Sequence, residues 1–148
     1  MNRIILAVIA AISFCQAGFA DTNWLTDLPK ARTQAKAENK LVLMDFTGSD
    51  WCAGCIMFNN QVLASKEFQA YAASNVVVVE VDFPEKKEQP ADLKKANNAL
   101  MEKFNIEAYP TLVILDSGGK EIARQTGYDG NGPKEFIAAL EKFKSKNK

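Results

Sequence analysis

Leu41-Val42-Leu43-Met44-Asp45-Phe46-Thr47-Gly48-Ser49-Asp50-Trp51-Cys52-Ala53-Gly54-Cys55 joins an apolar run to a pair of cysteines. Residues 41–46 are apolar on both faces apart from one aspartate, the pattern of a strand covered on both sides. Thr47-Gly48-Ser49-Asp50 ends it, and a helix should begin near Cys52 and carry Ile56, Met57 and Val62 or Leu63. Two intervening residues on a first helical turn bring the sulfurs close enough to join without distorting the backbone. At the helix N-terminus Cys52 would face unpaired N–H groups and the positive end of the dipole, and both favour thiolate over thiol. The thiolate is the form that attacks a disulfide. Cys52 is therefore the expected nucleophile, and Cys55, one turn deeper, the thiol that resolves the mixed disulfide.

Composition narrows the alternatives. The chain has 148 residues, 47% of them hydrophobic, with 18 basic and 18 acidic residues and no histidine. That is one domain with enough apolar material for a core. Without histidine there is no Ser-His-Asp or Cys-His pair and no imidazole metal site. Balanced charge argues against a nucleic-acid binder, which needs a basic surface. Arg3, the apolar run over residues 4–14 and Gly18-Phe19-Ala20 before Asp21 read as a secretory signal peptide over residues 1–20. The apolar run is well short of the ~20 residues of a spanning helix. Phe14 also occupies the place where a lipoprotein signal ending at Cys15 would need a small residue. Residues 21–148 then form the mature domain, exported to the periplasm, with Cys52 and Cys55 as its only cysteines. A zinc half-site would need about two more ligands from a chain that has none. A purely structural bridge across so short a loop would stabilise little. Redox chemistry is the remaining use, and it needs no cofactor or metal.

Further along, Asp27 or Thr26 can cap a helix containing Pro29, Ala31 and Ala35 and reaching about Asn39. Residues 66–73 form a short helix, and residues 75–82 a valine-rich central strand. Phe83 to Pro90 reads as a surface loop whose Glu85-Lys86-Lys87-Glu88 run is a solvated face. Residues 92–104 place Leu93, Ala96, Leu100 and Phe104 at helical spacing. Residues 111–115 and 121–126 make a hairpin around Asp116-Ser117-Gly118-Gly119, and Pro133 opens a last helix with Phe136, Ile137, Leu140 and Phe143 inward. The four lysines Lys142, Lys144, Lys146 and Lys148 suit a fraying helix C-terminus. The order α-β-α-β-α-β-β-α implies an α/β fold, a mixed sheet between helices.

Asp45-Phe46, Trp51-Cys52-Ala53-Gly54-Cys55, Tyr109-Pro110-Thr111-Leu112 and Asp116-Ser117-Gly118-Gly119-Lys120 together resemble the thioredoxin superfamily over nearly all of the mature chain. Phe46-Thr47-Gly48-Ser49-Asp50-Trp51-Cys52, with Glu80-Val81-Asp82-Phe83-Pro84, is similar to the small periplasmic disulfide reductases of the DsbH type. The resemblance implies a thioredoxin fold and several roles. Pro110 would be a cis-proline beside the cysteines, exposing the Tyr109 backbone to pair with an extended substrate. Asp45 would be the buried carboxylate that takes the Cys55 proton through water, unless it is a strand-end acid reaching solvent. Trp51 would shield the sulfurs and offer an apolar docking surface, or simply pack in the core. Gly127 would line the same groove or merely turn the chain.

The chain also departs from the family pattern. Seven positions separate Asp45 from Cys52, one more than in thioredoxin, which loosens the expected Asp45 geometry. Ala53-Gly54 lacks the histidine that stabilises the thiolate in family oxidants. The expected potential is thus near that of thioredoxin, on the order of −230 to −270 mV, rather than the about −120 mV of DsbA. The expected activity is reduction of protein disulfides by a monomer. By analogy the pair would be re-reduced by a membrane electron conduit of the DsbD type. Disulfide isomerisation and non-catalytic peptide binding are the alternatives.

Overall fold

The computed structural model describes residues 24–146. The expected signal peptide over residues 1–20 lies outside the described residues, as do Cys15 and Lys148.

Four strands form one sheet in the order β2-β1-β3-β4. Strand β1 (Leu41–Thr47) runs parallel to β2 (Val76–Asp82) and antiparallel to β3 (Thr111–Leu115), which pairs antiparallel with β4 (Glu121–Thr126). Helices α1 (Leu28–Glu38), α2 (Ala53–Phe58), α3 (Lys66–Asn75), α4 (Ala91–Lys103) and α5 (Pro133–Lys146) cover both faces, so the expected mixed sheet between helices is what forms. All seven residues of β1 are buried.

Strand parity sorts the core into two halves. Leu41 and Leu43 pack with Val76, Val78, Phe58, Val62, Leu63, Phe68, Phe136 and Leu140 on the face covered by α2, α3 and α5. Val42, Met44 and Phe46 pack with Val77, Val79, Val81, Leu28, Ala31 and Ala35 on the face covered by α1 and α4. Successive side chains of a strand point to opposite faces, so Asp45 falls on the α2 side, where the cysteines are. The same parity puts Glu80 and Asp82 on that side. Register confirms the alignment: Asp45 lies opposite Glu80, and Thr47 opposite Asp82.

Helices α1 and α3 each begin at a side-chain cap, that of α1 at one of its two expected residues. Asp27 accepts a hydrogen bond from the Lys30 N–H, and Ser65 accepts one from the Phe68 N–H. Asn39 closes α1 in the left-handed region at φ 52°. Ahead of α1, Leu25 makes a single parallel bridge to Val79. Two expectations need correction. Ala96 is exposed, and its neighbour Asn97 takes the buried place, its Nδ2 donating to the Asp82 carbonyl at 2.9 Å. After Cys52, Val62 and Leu63 are buried as expected, but Ile56 and Met57 of α2 are exposed. Cys55, Phe58 and Val62 take the inward places instead, three and four residues apart, and the chain widens to a π-helical turn over Asn59–Leu63.

Candidate active site

Cys52 is the N-cap of α2 and is joined to Cys55 by a disulfide, with 5.3 Å between their Cα atoms. The Cys55 N–H donates to Cys52 Sγ at 3.2 Å, and the Gly48 N–H donates to Cys55 Sγ at 3.4 Å. Each sulfur therefore has a backbone donor in place, and donors of this kind favour the anionic form when the pair is reduced. Cys52 is 8% exposed and Cys55 2%, so both are buried and Cys52 is the outer of the two.

The Tyr109–Pro110 peptide bond is cis, as the resemblance implied. A side chain on Gly54 would stand 3.5 Å from Pro110 Cδ, so the proline ring rests against the first turn of α2. The Gly127 N–H donates to the Pro110 carbonyl at 2.8 Å, and Gly127 has φ +80°. Gly127 thus turns the chain beside the cis-proline. Tyr109 is half-buried in an aromatic group, edge-on to Trp51 at 5.8 Å and 5.3 Å from Phe83, with its hydroxyl 3.3 Å from Met101 Sδ. Burial raises its pKa.

Trp51 is 39% exposed, which rules out simple core packing. Its Nε1–H donates to the Phe83 carbonyl at 2.8 Å, and its ring lies on Gly48. A Cβ at Gly48 would stand 2.7 Å from Trp51 Cζ2, so the residue must be glycine for the indole to lie there. The longer loop between Asp45 and Cys52 is not slack. Asp82 accepts from the Ser49 N–H at 2.9 Å and the Ser49 hydroxyl at 2.6 Å, and pairs with Lys87 at 3.3 Å. Asp50 accepts from the backbone N–H groups of Glu85, Lys86 and Lys87 at 2.8–3.0 Å, and these bonds, that to Glu85 first, lower its pKa. The run Glu85-Lys86-Lys87-Glu88 is thus exposed as expected, but its backbone is tethered to Asp50 and its Lys87 lines the cleft of Cys55.

Asp45 is 3% exposed and so is not a strand-end acid reaching solvent. Its Oδ1 has no hydrogen-bond partner. Burial, and then the charges of Glu80 and Asp82, push its pKa up from 3.8 to about 7. Asp45 and Cys55 share one cleft of about 330 Å³, whose walls include Trp24, Thr47, Glu80 and Lys87. A larger cavity of about 490 Å³ lies between α1 and α4, lined by Leu28, Arg32, Lys36, Leu100 and Lys103, none of which belongs to the cysteine site. Glu80, Asp82, Lys87, Gly48 and Phe83 were not singled out as site residues from the sequence. The two acids share strand parity with Asp45, which shows only once β1 and β2 are paired in register.

The sequence pattern of thioredoxin-like domains matches residues 28–144. The disulfide bond reductase DsbH of Chlamydia pneumoniae is 35% identical over 111 residues, 75% of this chain and 66% of that protein. The thiol:disulfide interchange protein DsbD of Pasteurella multocida is 31% identical over 113 residues, 75% of this chain but only 18% of that protein. The chain thus spans just under two thirds of the first relative's length and under a fifth of the second's. A solved structure described as a DsbH oxidoreductase superposes with a TM-score of 0.77 at 30% identity, covering 97% of this chain and 95% of that one. With the Cys52–Cys55 bridge at the head of α2 and a cis-proline against it, the chain belongs to the thioredoxin-like domain family.

Proposed function

We propose that this chain is an exported thiol–disulfide oxidoreductase that reduces disulfides in other proteins in the periplasm. One arrangement carries the reading: Cys52 caps α2 with its sulfur facing the Cys55 N–H, while Cys55 opens onto the same cleft as an acid with a raised pKa. In the reduced protein the Cys52 thiolate attacks a substrate disulfide, forming a mixed disulfide and releasing one substrate thiolate. Cys55 then gives its proton to the Asp45 carboxylate. The Cys55 thiolate attacks Cys52, the second substrate sulfur departs, and the Cys52–Cys55 bond holds the two electrons' worth of oxidation.

Trp51 serves as docking surface beside the sulfurs, joined by the exposed Ile56 and Met57. The backbone at Tyr109-Pro110 holds an extended substrate segment as an added strand. Each turnover leaves the pair oxidised, so an external reductant is required. We assign that part to a membrane conduit of the DsbD type, a protein that resembles this chain over part of its own length.

Insulin reduction with dithiothreitol as electron source tests the activity. The Cys52→Ser chain should lose at least about 99% of turnover, because the attacking anion is gone. Retention of more than half the turnover would overturn the reading.

A further inference from the structure

Asp45 is 3% exposed, so its carboxyl exchanges protons with bulk water only by way of the cleft it shares with Cys55. The carboxylate across the register from it, Glu80, is only half-buried and lines the same cleft as Cys55. Every charged or titratable group of that cleft can be named. Asp45 comes from β1, Cys55 from α2, Glu80 and Asp82 from β2, and Lys87 from the loop after β2. Trp24, Thr47, Ser49, Ile56, Asn59 and Asn60 complete the walls without charge. Asp82 is committed elsewhere, held by two bonds from Ser49 and by Lys87. The Glu80 carboxylate has no hydrogen-bond donor on it among the described residues, and Lys87 lies near enough to act on its charge.

We propose that Glu80 is a positioning residue that acts through Asp45, receiving the proton Asp45 has taken from Cys55 and handing it to solvent at the cleft mouth. This rests on the oxidoreductase reading and adds a route to it. The Cys55 S–H bond breaks and the proton goes to Asp45. It moves from Asp45 to Glu80 and from Glu80 to water, while the Cys55 electron pair forms the bond to Cys52. The substrate sulfur leaves with the electrons of the broken bond and takes a proton from water, so protons and electrons balance. Two carboxylates side by side in a poorly solvated cleft resist double ionisation, which suits a pair that shares one mobile proton. Both acids have raised pKa values, with burial the first cause in each.

The aromatic disulfide 5,5′-dithiobis(2-nitrobenzoate) separates the steps in a stopped-flow single turnover of reduced protein. A first thiolate is released when Cys52 attacks and a second when Cys55 resolves. In Glu80→Gln the first phase should stay within about twofold of the parent. The second should slow about five- to tenfold at pH 7, with the midpoint of its pH profile at least about half a unit lower. Glu80→Asp should recover most of the second-phase rate. The pair Asp45→Asn/Glu80→Gln should be no slower than Asp45→Asn alone, because the two residues lie on one route. A second phase in Glu80→Gln with parental rate and midpoint would overturn the proposal, as would multiplicative losses in the pair. Should Glu80→Gln fail to fold, the parent itself decides. A relay predicts a solvent deuterium effect of about two or more on the second phase and close to one on the first, and equal effects would overturn it. Absence of the first phase in the parent would instead sink the oxidoreductase reading, and the relay with it.

Discussion

Asp45 keeps its proton in the folded chain up to about pH 7, whereas the ordinary aspartate value is 3.8. Between those two values the folded state binds more protons than the unfolded state. Stability therefore falls as pH rises from about 4 to about 7 and levels off on either side. A gap of about three units at ~1.36 kcal/mol each makes ionised Asp45 a liability of roughly 4 kcal/mol at pH 8. Asp45→Asn should accordingly stabilise the oxidised protein by about 2–4 kcal/mol at pH 8, and by less than about 0.5 kcal/mol at pH 4, in urea unfolding. Equal gains at both pH values would show that the carboxyl does not hold a proton in the native state. A site that maintains such a group trades stability for chemistry, which is the usual mark of a functional acid.

Between β1 and α2, the loop over residues 47–50 depends on a contact that only glycine allows. Gly48→Ala should push the Trp51 indole outward and break its bond to the Phe83 carbonyl. The expected loss is about 1–3 kcal/mol in urea unfolding, with a red-shifted tryptophan emission. Unchanged emission would mean that the loop yields without moving the ring. The elements themselves were largely readable, since apolar runs and caps mark β1, β2, α1 and α3 locally. The inward face of α4 was harder. Asn97 is buried there because the Asp82 carbonyl needs a donor, a partner 15 residues away that no periodicity reveals. The π-helical turn after α2 has no local signature, so Ile56 and Met57 were read without their exposure. The place of Lys87 in the cleft is hidden for a related reason. A charge run looks solvated until Asp50, 35 residues before Glu85, is found to hold its backbone. Cys52, Cys55, Trp51 and Pro110 were legible because motif and family pattern name them. Glu80 was not, because its place depends on the pairing of two strands.

For the molecule as a whole, the quantity to measure is the equilibrium of the cysteine pair against glutathione. No histidine lies between the cysteines, and among the described residues the hydrogen-bond donors on the two sulfurs are backbone N–H groups. A potential on the order of −230 to −270 mV is expected, and a value above roughly −170 mV would make the chain an oxidant or isomerase instead of a reductant.

The bridge from Leu25 to β2 protects the fold in another way. Val76-Val77-Val78-Val79 lies on an outermost strand, and its free side would expose unpaired backbone groups. The Leu25 N–H donates to the Val78 carbonyl at 3.0 Å, and the Glu80 N–H donates to the Leu25 carbonyl at 2.8 Å, which covers the middle of that side. Four valines beside an open rim are the kind of template on which another copy can add itself and start an aggregate. Proteolytic nicking just ahead of α1 would therefore free Trp24 from the wall of the cysteine cleft and bare a rim on which insoluble assemblies can start.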